Sequence, residues 1–165
     1  MEEGEKIHVH LVSVWRESNS FFSIGGKEGM LFLTDKHLLF LRRTERMKNW
    51  WKATATRQVV TLHHNSNVMI THDGYGEKDL RIDLEEKGKY VNEVSFNNIL
   101  EIGFKELQWG SVLKTKVIEN GKKKDYQYSV VKDWVQYPLK DPTSYLKVNW
   151  KPFVEFVKSR QTVKE

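Results

Sequence analysis

The sequence predicts a mainly β (α+β) domain in which a run of antiparallel strands is closed by one C-terminal α-helix. Three observations carry this. From Lys27 to Arg43 an apolar ladder runs on both sides of the polar interruption Thr34-Asp35-Lys36-His37. Asn120-Gly121 separates two β-prone runs, and both residues tolerate the positive φ that a type I′ hairpin turn needs. Asn149 to Arg160 places Trp150, Phe153, Val154 and Val157 on one face at helical spacing. The chain has 165 residues, of which 39% are hydrophobic and 30% charged, which suits one domain (1–165) with a proper core and argues against disorder.

Taken in order, Ile7 to Trp15 is β-branched in character and predicts the first strand. Met30 to Leu33 and Leu38 to Leu41 are apolar on both faces, so these strands are covered on both sides or lie in a barrel wall. Two helices do not fit into these seventeen residues, so the segment reads as a hairpin whose second strand meets solvent at Arg42-Arg43. Arg46 to about Gln58 predicts a helix with Met47, Trp51 and Ala55 on one face and Lys48 and Lys52 alongside, although TATRQVVTL favours strand. Val68 to Thr71 reads as a short strand ended by the turn residues Asp73-Gly74-Tyr75-Gly76. Leu80, Ile82 and Leu84 alternate with Arg81 and Asp83, the period of a half-buried strand. Glu86 to Lys89 reads as a turn. Tyr90, Asn92, Val94 and Phe96 continue at the same period, and Ile99, Ile102 and Phe104 mark another strand. Val112 to Glu119 and Lys124 to Val131 form the last hairpin. Asn149 can cap the final helix, and Pro152 falls in its first turn, where a missing N–H costs little.

Composition limits the function classes. With no cysteine there is no disulfide scaffold, thiolate metal site or cysteine nucleophile, and a reducing, cytoplasmic setting fits. MEEGEKIHVH lacks the basic start and apolar run of a signal peptide, and no segment approaches the roughly 20 apolar residues that span a bilayer. The expected location is cytoplasmic or peripheral to a membrane. The net charge of +5 is a modest bias toward anionic partners. It is unevenly spread: Arg42 to Arg57 holds six basic residues and one acid, whereas Glu77 to Glu106 holds eight acids and five bases.

GMLFLTDKHLLFL resembles the hairpin of GRAM domains and of bacterial or archaeal pleckstrin-homology-like (PH-like) proteins. VSFNNILEIGFKE resembles the strand, turn and strand those families place before their last hairpin. Ser111 to Val131 resembles that hairpin, and NWKPFVEFVKSR their closing helix. The resemblance covers Ile7 to Arg43 and Tyr90 to Arg160. It implies a partly open antiparallel β-barrel capped by the C-terminal helix, with an insertion at about 44–89 between the second hairpin strand and the later strands. The fold hosts many functions. Phosphoinositide-binding members carry several Lys/Arg in the first inter-strand loop. Here that loop, RESNSFFSIGGKEG, has only Arg16 and Lys27, set against Glu17 and Glu28. Similar folds also serve as protein-interaction modules.

The candidate chemistry is binding. Gly25-Gly26-Lys27 lacks the Ser/Thr of a phosphate loop, because Glu28 follows, and reads as a connecting turn. His8 and His10 would share a strand face, and His63, His64 and His72 lie near Asp73, but the spacing matches no closed zinc site. Asp73 to Asp79 lacks the ligand alternation of a calcium loop. Glu85 and Glu86 would face opposite ways on a strand, and no GxSxG elbow presents a nucleophile. No cofactor, metal or catalytic residue is expected. The positive signal is RRTERMKNWWK, in which Arg42, Arg43, Arg46, Lys48 and Lys52 surround Trp50 and Trp51. Trp favours a membrane–water interface, and each Lys/Arg near anionic headgroups contributes about 1 kcal/mol. The same mix would stack on single-stranded bases. In a structural reading, Met47 and Trp51 instead dock the insertion and the cations form a solvated face. Lys122-Lys123-Lys124 is a second basic patch, and Phe21-Phe22 reads either as a loop tip or as core. The expectation is a non-enzymatic module on an anionic phospholipid surface. A protein-interaction adaptor is the alternative, and nucleic acid comes third.

Overall fold

The computed structural model describes residues 1–19, 26–87, 91–135 and 141–162. It is a mainly antiparallel sheet with a C-terminal helix. The strands are β1 (Ile7–Ser18), β2 (Lys27–Thr34), β3 (His37–Leu41), β4 (Val91–Ser95), β5 (Ile99–Leu107), β6 (Gly110–Glu119), β7 (Lys122–Val135) and β8 (Asp141–Tyr145). The helices are α1 (Lys48–His64), α2 (Glu77–Lys87) and α3 (Lys151–Arg160). The strand order is β4-β3-β2-β1-β7-β6-β5, with β8 paired to β7 beyond that path. Because β4 and β5 end the path, the sheet is open.

The two-faced apolar ladder has a direct structural cause. Leu31, Leu33, Leu38 and Phe40 face an inner core that gathers side chains of β1 to β7 and Trp150, Phe153, Val154 and Val157 of α3. Met30, Phe32, Leu39 and Leu41 face the other way, onto Met47, Trp51 and Leu80 of the segment between β3 and β4. That segment is therefore a helical layer over the outer face of β1–β3. Both predicted hairpins form. Met30 pairs with Leu41 and Leu33 with Leu38, and Asn120 (φ 51°) and Gly121 (φ 72°) turn β6 into β7. Gly29 must be glycine, because a Cβ there would lie 2.6 Å from the Leu41 carbonyl oxygen.

α1 continues to His64 through the β-prone TATRQVVTL. Thr54, Gln58 and Leu62 extend the face begun by Met47 and Trp51, and packing on the sheet outweighs the local preference. Two expected strands are corrected. Leu80, Ile82 and Leu84 lie on α2, not on a strand. Leu80 and Leu84 are one turn apart and pack inward, while Ile82 is 41% exposed. Glu85, Glu86 and Lys87 end the same helix rather than forming a strand pair and a turn. Val68 to Thr71 forms no strand. It is a strap along the half of β1 that β7 does not reach: the Ile70 carbonyl accepts the His10 N–H at 2.8 Å, and Asn67 bridges Asn149. His8 and His10 do not share surroundings, because the β1–β2 register shifts between Ile7 and Val9. His8 meets Phe156 at a tilt, and His10 stacks on Phe32. The N-cap of α3 is Trp150, not Asn149, and no side chain caps it; Asn149, one residue earlier, accepts the Lys151 N–H at 3.1 Å. Phe21-Phe22, Gly25, Gly88-Lys89 and Tyr90 lie outside the described residues.

Candidate functional site

The helical layer is fastened to β1 by Glu77 of α2, which accepts the Ile7 N–H at 3.1 Å, and by Gln58 of α1 at an irregular point. Between Leu11 and Val14 the β1–β2 ladder shifts, and Ser13 takes a positive φ of 52°, a conformation that costs a non-glycine residue about 1–2 kcal/mol. Gln58 of α1 satisfies the backbone there. Its Oε1 accepts the Val12 N–H at 2.8 Å and its Nε2 donates to the Val12 carbonyl at 2.7 Å. Trp134 Nε1 donates to Ser13 Oγ at 2.8 Å. Bulges and local strain of this kind concentrate beside functional sites.

This irregularity floors a groove of about 630 Å³ between α1 on one side and β1 and β7 on the other. Trp51, Ala55 and Val59 form the helical wall, and Val131 and Trp134 the strand wall. Four cations line it: Arg43, Lys48, Lys52 and Lys132. Two carboxylates line it as well, and both already accept hydrogen bonds. Glu28 takes the Trp51 Nε1–H at 3.0 Å, and Asp133 takes the Ser144 hydroxyl at 2.9 Å.

The basic-aromatic residues singled out in the sequence divide into three groups. Trp51 is 5% exposed and belongs to the outer core. Trp50 is half-buried, beside His10 (5.7 Å) and Tyr75 (5.5 Å) between ring centres. Arg46 is exposed but already paired: its Nη2 lies 2.9 Å from Asp83 Oδ2 and its Nη1 3.1 Å from Asp79 Oδ1. The Asp83 hydrogen bond raises its pKa further. Asp83 is fully buried and also accepts Thr44 Oγ1–H and Tyr75 O–H. Burial, then the bond to Asp83, pushes the Tyr75 hydroxyl far above its ordinary value.

Arg42, Arg43, Lys48 and Lys52 are exposed. Lys48 pairs with Glu45 at 2.6 Å, and the Arg43 guanidinium lies 5.6 Å from the Trp51 ring. Among the described residues Lys52 and Lys132 have no ion-pair partner. Lys132 and Trp134 were not singled out in the sequence; the alternation of SVVKDW along β7 was the only signal that could have found them. The second basic patch does not converge. Lys122 and Lys123 are exposed, while Lys124 pairs with Glu119 at 2.5 Å.

The histidines are dispersed. His8 meets Asp35 at 2.5 Å and His37 meets Glu5 at 2.8 Å, while His63 and His64 are exposed on α1. Burial holds His10 well below its usual pKa, with His72 second. Burial, then Arg57, lowers His72 to about 4. Among the described residues, no cluster of three or more His, Asp or Glu side chains could hold a metal ion, and no helix is long and apolar enough to cross a membrane.

Comparison with protein-family models and with curated proteins finds no match to this chain. The groove is therefore read from its own chemistry: concave, walled by aromatic and aliphatic side chains, strained at its floor and net cationic.

Proposed function

We propose that the chain is a PH/GRAM-like, non-enzymatic binding module that holds an anionic partner in the groove between α1 and β7. The fold part rests on the strand order β4-β3-β2-β1-β7-β6-β5, on α3 filling the interior, and on the hairpin resemblance. The functional part rests on one observation: Arg43, Lys48, Lys52 and Lys132 line a single groove whose walls are Trp51 and Trp134. A net excess of one charge sign in a cleft with apolar walls focuses the field on an incoming anion. The partner classes that supply such an anion are a phospholipid headgroup and an acidic protein segment. Nucleic acid ranks below both, because Glu28 and Asp133 stand among the cations.

The membrane reading draws on exposed Arg42, Arg43 and Lys52, but Trp50 and Trp51 are occupied by the protein's own packing. A concave site accordingly fits better than an inserting tip.

The test compares wild type with Lys52→Glu/Lys132→Glu against two probes, phosphatidylserine vesicles and poly-L-glutamate. Phosphatidylcholine vesicles serve as the neutral control, at low and physiological salt. The expected result is binding to at least one anionic probe that weakens with salt and falls at least tenfold in the variant. No binding to either anionic probe, or binding indifferent to the variant, overturns the proposal.

A further inference from the structure

We infer that the groove continues past Trp134 onto an aromatic shelf, and that its occupant is an extended segment of a partner protein. That segment carries acidic residues at one end and a large apolar side chain at the other. This deepens the anionic-partner reading above and rests on it.

Beyond Ser13 and Val131, the outer face of β1 and β7 carries Trp15 opposite Ser129 and Glu17 opposite Gln127. A second cavity, of about 200 Å³, opens there between Trp15, Trp109 and Tyr145. Trp134 lines the first cavity and Trp15 the second, and the two rings meet edge-on at 5.8 Å. The cavities therefore abut. Trp109 is 51% exposed although it lies 5.0 Å from Tyr145, ring centre to ring centre. Trp and Tyr standing in a concave site next to cations are the residue types that anchor protein interfaces. The shelf is also built closely: a Cβ on Gly110 would lie 2.8 Å from Tyr145 Cβ.

Charge along the strip selects the occupant. The α1 end sets four cations, Arg43, Lys48, Lys52 and Lys132, against two carboxylates, Glu28 and Asp133. The shelf is lined by Glu17, which accepts the Trp15 Nε1–H at 3.1 Å, and, among the described residues, by no cation. An anionic bilayer or a nucleic acid presents negative charge along its whole length and would meet Glu17 on the cation-free shelf. A peptide can put its acids at one end and an apolar side chain at the other. Ser13 lines the groove and Glu17 the shelf, four steps apart along β1, which at a strand rise of about 3.3 Å is roughly 13 Å. The acids and the apolar anchor of the occupant should therefore be about four residues apart.

The experiment selects displayed random 12-residue peptides on the full chain. It then measures the enriched peptides against wild type, Trp109→Ala and Lys52→Glu/Lys132→Glu, with phosphatidylserine vesicles as a parallel probe. The expected peptides hold an Asp/Glu cluster three to five residues from a large apolar residue, and each variant weakens them at least tenfold. Trp109 is half exposed, so its variant should keep the wild-type melting temperature within a few degrees. Acidic peptides that bind Trp109→Ala as well as wild type overturn the shelf while leaving the anionic-groove reading intact. Trp109-dependent binding to vesicles without any enriched peptide overturns it in favour of a membrane. Failure to enrich any peptide overturns it as well.

Discussion

On their inner face β1, β2 and β3 present Leu11, Leu31, Leu33, Leu38 and Phe40 to Trp150, Phe153 and Val157. On their outer face they present Val12, Met30, Phe32, Leu39 and Leu41 to Met47, Trp51 and Leu80. Both faces are dry, yet the layers over them differ in kind. α3 meets the sheet through a broad apolar stripe. α1 turns Thr54 and Gln58 inward alongside Trp51 and Leu62, and α2 buries Asp83. An apolar stripe holds a helix close but leaves its position along the sheet loosely specified. Buried polar groups fix that position, because a shift leaves them unpaired. The outer layer is therefore placed by hydrogen bonds, and the candidate groove lies at its edge.

The largest expected effect belongs to the inner layer. Phe153 is fully buried, and Phe153→Ala should cost about 3–5 kcal/mol in urea unfolding. A loss below 1 kcal/mol would mean that α3 is not part of the cooperative core. Asp83→Ala comes next, at about 3 kcal/mol, because it leaves Arg46, Thr44 and Tyr75 without their shared acceptor. Asp83→Asn should recover part of that loss. If Asp83→Ala were silent, α2 would not be pinned as described.

Gln58→Leu should cost about 2–3 kcal/mol, since it fills the space but strands the Val12 N–H and carbonyl. The loss should appear as faster amide exchange at Val12 while β3 stays protected. These outer-layer partners are the part of the structure that the sequence hid. The hairpin of Met30 and Leu41, the Asn120-Gly121 turn and the closing helix were legible because each is set by neighbours in the chain. Arg46 read as a free cation because Asp79 and Asp83 lie 33 and 37 residues away. Leu80-Ile82-Leu84 read as a strand because five residues of period two also satisfy the i, i+4 spacing of a helix. Buried Asp83, three residues after Leu80, fits only the helix. The groove was half legible: Arg43, Lys48 and Lys52 stood out, but Lys132 and Trp134 join them only when β7 folds beside β1.

Acid should separate the two layers. His10 and His72 are neutral in the folded chain, His72 down to about 4, and both protonate near 6.5 once unfolded. The unfolded state therefore binds more protons between about pH 6.5 and 4, and stability falls as pH falls through that window. The His72 part of the loss should be about 2 kcal/mol, after allowance for the part of His72 that faces water. Asp35 and Glu5 also have lowered values, held down by hydrogen bonds from His8 and from Thr34 and His37, and for Glu5 these outweigh burial. Their contribution is lost only nearer the ordinary carboxylate range, so it does not confuse the upper half of the window. His10→Leu should flatten the slope there. It should cost little at pH 7 beyond its ring contacts and the weak Nε2 contact to Met30 Sδ at 3.1 Å, because His10 Nδ1 has no hydrogen-bond partner among the described residues. A slope unchanged by His10→Leu would assign the acid sensitivity to His72 alone.

The smallest effect tests where the protein ends and its ligand begins. Trp51 packs its ring in the outer core and gives its Nε1–H to Glu28 at 3.0 Å. Trp51→Phe keeps most of the packing and removes that bond, so it should cost about 1 kcal/mol. It also takes one hydrogen-bond donor away from Glu28, one of the two carboxylates in the groove. With one donor fewer, the Glu28 carboxylate should oppose an anion more strongly, so Trp51→Phe should weaken poly-L-glutamate binding severalfold at low salt and less at physiological salt. Adding Glu28→Gln to the same chain should restore it. Equal binding in all three chains would place the anion away from Glu28, toward Lys132. A collapse of binding that Glu28→Gln cannot rescue would make the Trp51 ring a contact surface for the ligand rather than only the wall of its groove.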